Sequence, residues 1–394
     1  MSTFIQIHTL TSHPASLLNR GEDGLAKTIP FGGRTRTRIS SQCLKYNWRT
    51  YRGPGSLREI NETEMSVRSQ QTFYHRVAKP LIEGDGTDGN GEEDVLDPEL
   101  VYPATRNLQV DLLGEDLEDD SFSVEDAVEA AREESTEYLH VNQVVVFGPP
   151  ELKFMRSAVR EEVEALSKSP EDLGNSDFQD YTTGEMAESV SAVAPAGLDA
   201  AMFGRMSTDE SGDAQVDGAV HVKHALTVHP HQRESDYFIT ADDFRDQGGG
   251  HLNSKSLTSG LYYTNVVVDH EGLVRNLSGR EDIASELIGR LIKVAATVTP
   301  GAKKSSTAPY SHAELLLVER GERQPRTLAN AFRDALPPEA GVHRAQERLE
   351  DYLSGMDSMY GRPKERYVSG TQLPDPVPDA FGDRMTLDQI RNQV

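Results

Sequence analysis

Among the 394 residues there is one cysteine, Cys43, so an intramolecular disulfide and any multi-cysteine zinc or iron–sulfur site are excluded. No run approaches the roughly 20 apolar residues that span a bilayer, and the mean hydropathy is −0.55. Residues Met1 to His8 lack the basic start and long apolar stretch of a signal peptide, so the cytoplasm is the expected location. Catalytic signatures are scarce too: there is no P-loop, no GxGxxG after a strand, no GxSxG and no HExxH. Positive charge is outnumbered, with 40 Lys and Arg against 64 Asp and Glu and a net charge of −24.

That deficit is uneven. From Glu83 to Glu134, nineteen acidic residues meet only Arg106 and Arg132, a local charge of −17. The Gly/Asp/Glu-rich part, 83–122, is too poor in large apolar residues to build a core and reads as a loop or disordered insertion. Between Arg20 and Arg52 the sign reverses: Arg20, Lys27, Arg34, Arg36, Arg38, Lys45, Arg49 and Arg52 face only Glu22 and Asp23, giving +6 in 33 residues. Binding follows the local field and not the sum, so this segment can hold a polyanion on an acidic protein.

Residues 3–10 predict a strand, and Ser40 and Ser41 are N-cap candidates for a helix over about 41–52, stopped by Gly53-Pro54-Gly55. Helical patterns follow at 56–80, 123–137, 150–168 and 184–203, with a short strand at Gln143 to Phe147. From Asp217 the period becomes two: Val220, Val222, His224, Leu226 and Val228 define one face of a strand. A polar stretch, 230–259, is either a long loop or an extended hairpin before a strand from Gly260 to Val268. Ser278 with Glu281 has capping-box spacing ahead of a helix to about Thr297, and Leu315 to Val318 is a short apolar strand. The tail from 327 is helical in pattern. Strands near 3, 217, 260 and 314, with a helical block inserted, give an α+β chain in β-α-β-β-α-β order, the ferredoxin-like or RNA-recognition arrangement.

On the 41–52 helix, Gln42, Lys45, Arg49 and Arg52 fall on one face, with Leu44, Trp48 and Tyr51 roughly opposite. Such a row, after alternating Arg34, Arg36 and Arg38, suits phosphate oxygens, because every member donates hydrogen bonds and the cations release counterions. An ordinary amphipathic helix with a solvated basic face has the same pattern. Arg205 and Met206 end a helix after Gly204, either as a C-cap with core methionines or as a cation and wedge against a nucleotide. Tyr237 and Phe238 either form a small satellite core or stack on bases. Six of the 12 histidines lie between His221 and His270, and His229 with His231 could begin a metal site, though without any matching signature. Cys43 reads as a packing residue.

The segments Phe4-Ile-Gln-Ile-His8, Leu18-Asn-Arg20, Phe31-Gly-Gly33, Arg38 through Lys45, Gly204-Arg-Met206, Val216-Asp-Gly-Ala219 and Pro300-Gly-Ala-Lys303 together resemble the CasC-type backbone subunit of the type I-E CRISPR Cascade. The resemblance is dense over 3–49, patchier over 196–332 and weak elsewhere. It implies a modified RNA-recognition palm with a helical fingers insertion and a β-hairpin thumb. The divisions would be 1–52 for the first palm part with its basic helix and 53–190 for the fingers with the acidic 83–122 segment. The second palm part would be 191–340, with a thumb at about 229–260, and a helical tail would occupy 341–394. The implied function is non-catalytic: copies polymerise along the CRISPR guide RNA and present it to target DNA in antiviral interference, beside other Cascade subunits, without a cofactor or membrane. By the same resemblance Arg20, Lys27, Ser40, Gln42, Lys45 and Arg49 hold the guide backbone, and Arg34, Arg38 and Lys303 join them as RNA-binding candidates. Arg205, Met206, Tyr237, Phe238 and Leu252 fall where the guide is kinked. The alternative is a metal-dependent RNA endonuclease using Asp23, a palm-loop carboxylate between Arg20 and Lys27.

Overall fold

The computed structural model describes residues 3–84, 95–113, 123–166, 194–205, 215–239 and 252–394. In chain order it has β1 (Phe4–Ser16), β2 (Thr28–Phe31), β3 (Arg34–Ile39), α1 (Ser41–Thr50) and β4 (Val67–Ser69). Then come α2 (Pro98–Leu113), α3 (Val124–Arg132), β5 (Val145–Phe147), α4 (Pro149–Leu166) and α5 (Leu198–Phe203). Next are β6 (Val220–Val222), β7 (Ala225–Thr227), β8 (Glu234–Ile239), β9 (Leu252–Asp269), α6 (His270–Asn276) and α7 (Glu281–Thr297). The chain closes with β10 (Leu315–Gly321), α8 (Val342–Tyr360), β11 (Glu365–Gly370), β12 (Asp383–Arg384) and α9 (Leu387–Arg391).

Contacts divide the chain into two compact units. The first comprises Met1–Ile60, Val220–Leu273 and Glu281–Val394. Its sheet runs β12-β11-β10-β1-β9-β7-β3-β2, with β6 and β8 also paired to β9. Taking β1, β7, β9 and β10 as first to fourth, the order is fourth-first-third-second, and β1 lies antiparallel between β10 and β9. The architecture is therefore the expected α+β type, compatible with a ferredoxin-like plan. On one side the apolar stripe of α7, including Ile283, Leu287, Leu291 and Val294, is buried, and α7 touches both β1 and α1. A second core joins Leu10, Tyr263, Leu317 and Phe332 to Leu349 and Leu353 of α8.

The second unit, Asn61–Ala219 with Val274–Arg280, is mostly helical. It extends past residue 190, the expected end, and two ion pairs made on buried carboxylates hold the following segment. Asp199 accepts from Ser66 N and Oγ at 2.7 and 2.9 Å and from Arg68, while Glu151 pairs with Arg205. The expectation that 83–122 builds no core is overturned by α2, whose Val101, Tyr102, Leu108 and Leu112 pack with Phe73, Val77, Met155 and Val159. The continuous helix expected at 56–80 is also absent. Glu62 adopts φ 62°, and Val67–Ser69 leave the helical pattern to pair with Val145–Phe147.

Three details of the first unit differ from the pattern in the sequence. The 217–228 strand breaks at Lys223 and His224, so that Val220 and then Ala225 and Thr227 are buried, and strict alternation is lost. Ser278, at φ 55°, lies in a turn in which its amide donates to Arg275 O, and α7 begins at Glu281. The tail is not wholly helical, since β11 and β12 extend the sheet beside β10. Arg366 of β11 is buried on Glu319 at 2.6 Å and bonded to Asp357, which gives this short polar strand an interior partner. Among the described residues no helix is long and apolar enough to cross a membrane.

Candidate nucleic-acid interface

The basic segment folds around the N-terminus of α1. Ser40 is the N-cap, its hydroxyl accepting from Cys43 N at 3.3 Å, and Asn19 Oδ1 accepts from Ser40 N at 2.9 Å. His224 Nδ1 accepts from Ser41 N at 2.9 Å, so the break in the 220–228 strand has a use: it turns this imidazole onto the helix end. These acceptors satisfy amides that a helix start otherwise leaves unpaired. Burial holds His224 below the usual histidine range, and the Arg38 and Lys27 charges lower it further. A neutral ring keeps Nδ1 able to accept.

Backbone bonds bring the cations together. Lys27 N donates to Asn19 O at 3.0 Å and Arg38 N to Lys27 O at 2.8 Å, which lays the 19–27 loop along β3. The Phe31-Gly-Gly33 motif is the two-residue turn between β2 and β3, with φ 60° at Gly32 and 73° at Gly33. Two positive φ values define a type I′ hairpin, which glycine accepts without strain. Gly32 is needed for a second reason, because a Cβ there would collide with Arg333 O.

Of the arginines on β3, Arg36 is not available to a ligand. It is fully buried, with Nη1 donating to Thr227 O at 2.9 Å and Nη2 to Phe332 O at 2.9 Å and Arg333 O at 3.2 Å. It ties the hairpin to β7 and to the 329–332 turn, and burial lowers its pKa from the ordinary value. Arg34 stays exposed at the hairpin tip and Arg38 half-buried. Arg20, Lys27, Arg34 and Arg38 form no ion pair among the described residues, so no carboxylate of these segments covers this ridge. On α1, Gln42 is exposed and Lys45 and Arg49 half-buried, while Leu44 and Trp48 point into the core. Tyr46, which pattern reading passed over, is 60% exposed on the same side, with the Arg49 guanidinium 6.0 Å from its ring centre. Its spacing of four from Gln42 and three before Arg49 is the signal that marks it.

Lys303 lies half-buried in the loop after α7, whose Ala302 N donates to Leu17 O at 2.9 Å, next to the Asn19–Arg20 turn. In the stretch expected to form the thumb, β8 pairs antiparallel with the first part of β9, Phe238 opposite Asn253 and Leu252 opposite Ile239. Tyr237 on β8 is 71% exposed. Met206 and His251 lie outside the described residues.

Arg205 belongs to the second unit and does not have the exposure expected of a phosphate ligand. It is 7% exposed, and Nη1 donates to Glu151 at 2.8 Å, so its charge is matched inside the fold. Asp23 is exposed, and its Oδ1 accepts from Leu25 N at 3.0 Å, closing the Gly21–Leu25 turn. His229 holds β7 to β9 through Leu261 N at 3.2 Å, and His231 Nδ1 bonds the Thr37 hydroxyl at 2.7 Å. Among the described residues no group of three or more His, Cys, Asp or Glu is arranged to hold a metal ion.

The first unit thus places a row of cations beside α1 on an antiparallel sheet in the order β10-β1-β9-β7. Solved structures share the fold. A chain of a "CRISPR RNA-guided surveillance complex, pre-nicking" matches with TM-score 0.78 at 22% identity, over 99% of each chain. A chain of a "CRISPR RNA-guided surveillance complex" matches with TM-score 0.71 at 20% identity, over 99% of this chain and 100% of that one. No curated protein matches the sequence. The family described as CT1975-like protein matches residues 5–392, and the chain belongs to it.

Proposed function

We propose that this protein is the guide-RNA-binding backbone subunit of a type I-E Cascade, without chemistry of its own. Copies line up along the CRISPR RNA, each holding the sugar-phosphate backbone on the α1 ridge and leaving bases free to pair with target DNA. Base pairing then reads sequence while the protein reads backbone and shape. The observation that carries this reading is the set Arg20, Lys27, Arg34 and Arg38 with no ion-pair partner among the described residues, around a helix whose end is already capped. Those cations are left for an external polyanion. Fold likeness to chains of RNA-guided surveillance complexes over the whole length supports the same reading. Partners would be the guide, target DNA through it, neighbouring copies and other Cascade subunits, in the cytoplasm.

The test is binding of purified protein to single-stranded RNAs of unrelated sequence, with particle length read by electron microscopy. Equal affinities and arrays that lengthen with the RNA are expected; strong sequence preference counts against the proposal. Metal-dependent cleavage abolished by Asp23→Ala would replace it with the endonuclease reading.

A further inference from the structure

The loop from Thr299 to Ser311 is built as a rigid platform. Its ends are tied by Thr299 Oγ1 donating to Ser311 O at 2.8 Å, and its interior by Thr307 Oγ1 to Lys303 O at 2.7 Å and Ala308 N to Lys304 O at 2.9 Å. Thr299, Pro300 and Ser311 border the same small cavity as Leu44 and Trp48, which roots the loop against α1. Pro309 is buried and packs over Gly301, where a Cβ would come within 2.7 Å of its ring. Ala308 adopts φ 39°, a left-handed conformation uncommon outside glycine, and Tyr310 N donates back to Ala308 O at 2.7 Å. This sharp turn buries the proline and sends the next residue outward.

Tyr310 is 74% exposed. Among the described residues its ring has no aromatic or cationic neighbour and its hydroxyl has no hydrogen-bond partner. A large ring is thus carried into water on a stapled backbone loop that also holds Lys303 and Lys304. Compact loops with closed ends are frequently functional, and a tyrosine on a pre-ordered backbone has only two side-chain torsions to lose when a flat partner covers it.

We infer that Tyr310 is a stacking platform for an unpaired RNA base, with Lys303 and Lys304 at the phosphates of that nucleotide. The inference rests on the RNA-binding reading above and adds a base contact to a ridge otherwise made of phosphate donors. Stacking tolerates any base, since every base has a π face.

The experiment uses the full-length chain and two labelled probes of equal length, a mixed-sequence single-stranded RNA and a strand of stable abasic analogues. Tyr310→Ala is expected to weaken binding of the RNA by roughly 5- to 100-fold. It should leave the abasic strand and the salt dependence unchanged, because no cation is lost. Tyr310→Phe should bind as the wild type does, and so should Tyr360→Ala, an exposed tyrosine on α8. Equal effects of Tyr310→Ala on both probes, or none on the RNA, would overturn the platform while leaving the ridge intact. Wild-type protein that binds neither probe would overturn the RNA-binding reading, and the platform with it.

Discussion

Acidification should destabilise the sheet unit through His13. This residue lies on β1 with its ring edge against Tyr262, and burial holds its pKa down at about 4 against an ordinary 6.5. Below about pH 6.5 the unfolded chain takes up a proton that the folded chain does not, so stability is full above that value and falls as the pH drops toward 4. At 1.36 kcal/mol per unit the gap amounts to about 3 kcal/mol when fully developed, and about 2 kcal/mol by pH 5. Trp48 is the single tryptophan and borders the same small cavity as His13, so its emission reports the unfolding of this unit. Urea titrations at about pH 7.5 and 5 should show the wild-type midpoint falling by roughly 0.5 to 1 M more than that of His13→Phe, whose ring cannot titrate. Burial also lowers His224, His229 and His231, so both proteins lose some stability in acid. The difference between them isolates His13. Identical pH dependence in the two proteins would refute the reasoning.

Replacing both Arg20 and Lys27 with Gln should weaken every single-stranded RNA alike and reduce the slope of log affinity against log salt by about 0.7 per lost phosphate contact, measured by fluorescence anisotropy. Arg36→Met should leave RNA contacts untouched yet destabilise the fold by about 2–4 kcal/mol, because the buried carbonyls of Thr227, Phe332 and Arg333 lose their donor; thermal denaturation reads this. Glu151→Gln strands the Arg205 charge in the interior and should cost about 3–5 kcal/mol, with Arg205→Met restoring part of the loss in the double variant. Ser40→Ala should cost about 1 kcal/mol through the lost cap of α1, seen as a lowered denaturation midpoint.

What the sequence makes legible follows from locality. The first strand, α1 and α7 are fixed by short-range periodicity and by Ser40, and the structure has them at the expected places. Sequence-averaged composition hides α2, because its sixteen residues sit inside an acidic stretch while Val101, Tyr102, Leu108 and Leu112 repeat at helical spacing. Arg36 looks like its neighbours Arg34 and Arg38 until Phe332, almost three hundred residues away, supplies its carbonyl. Arg205 is decided by Glu151 in the same way, and β11 by Glu319. In each instance a distant partner outweighs the local pattern.

The long strand β9 has a mechanical consequence. Over Leu252–Asp269 it pairs with β8 at one end and with β1, β6 and β7 toward the other, a span of roughly 60 Å at 3.3 Å per residue. A pull along its axis at the hairpin end loads many antiparallel bonds side by side, in shear, instead of peeling them one at a time. Tension applied there would be carried directly into the middle of the sheet.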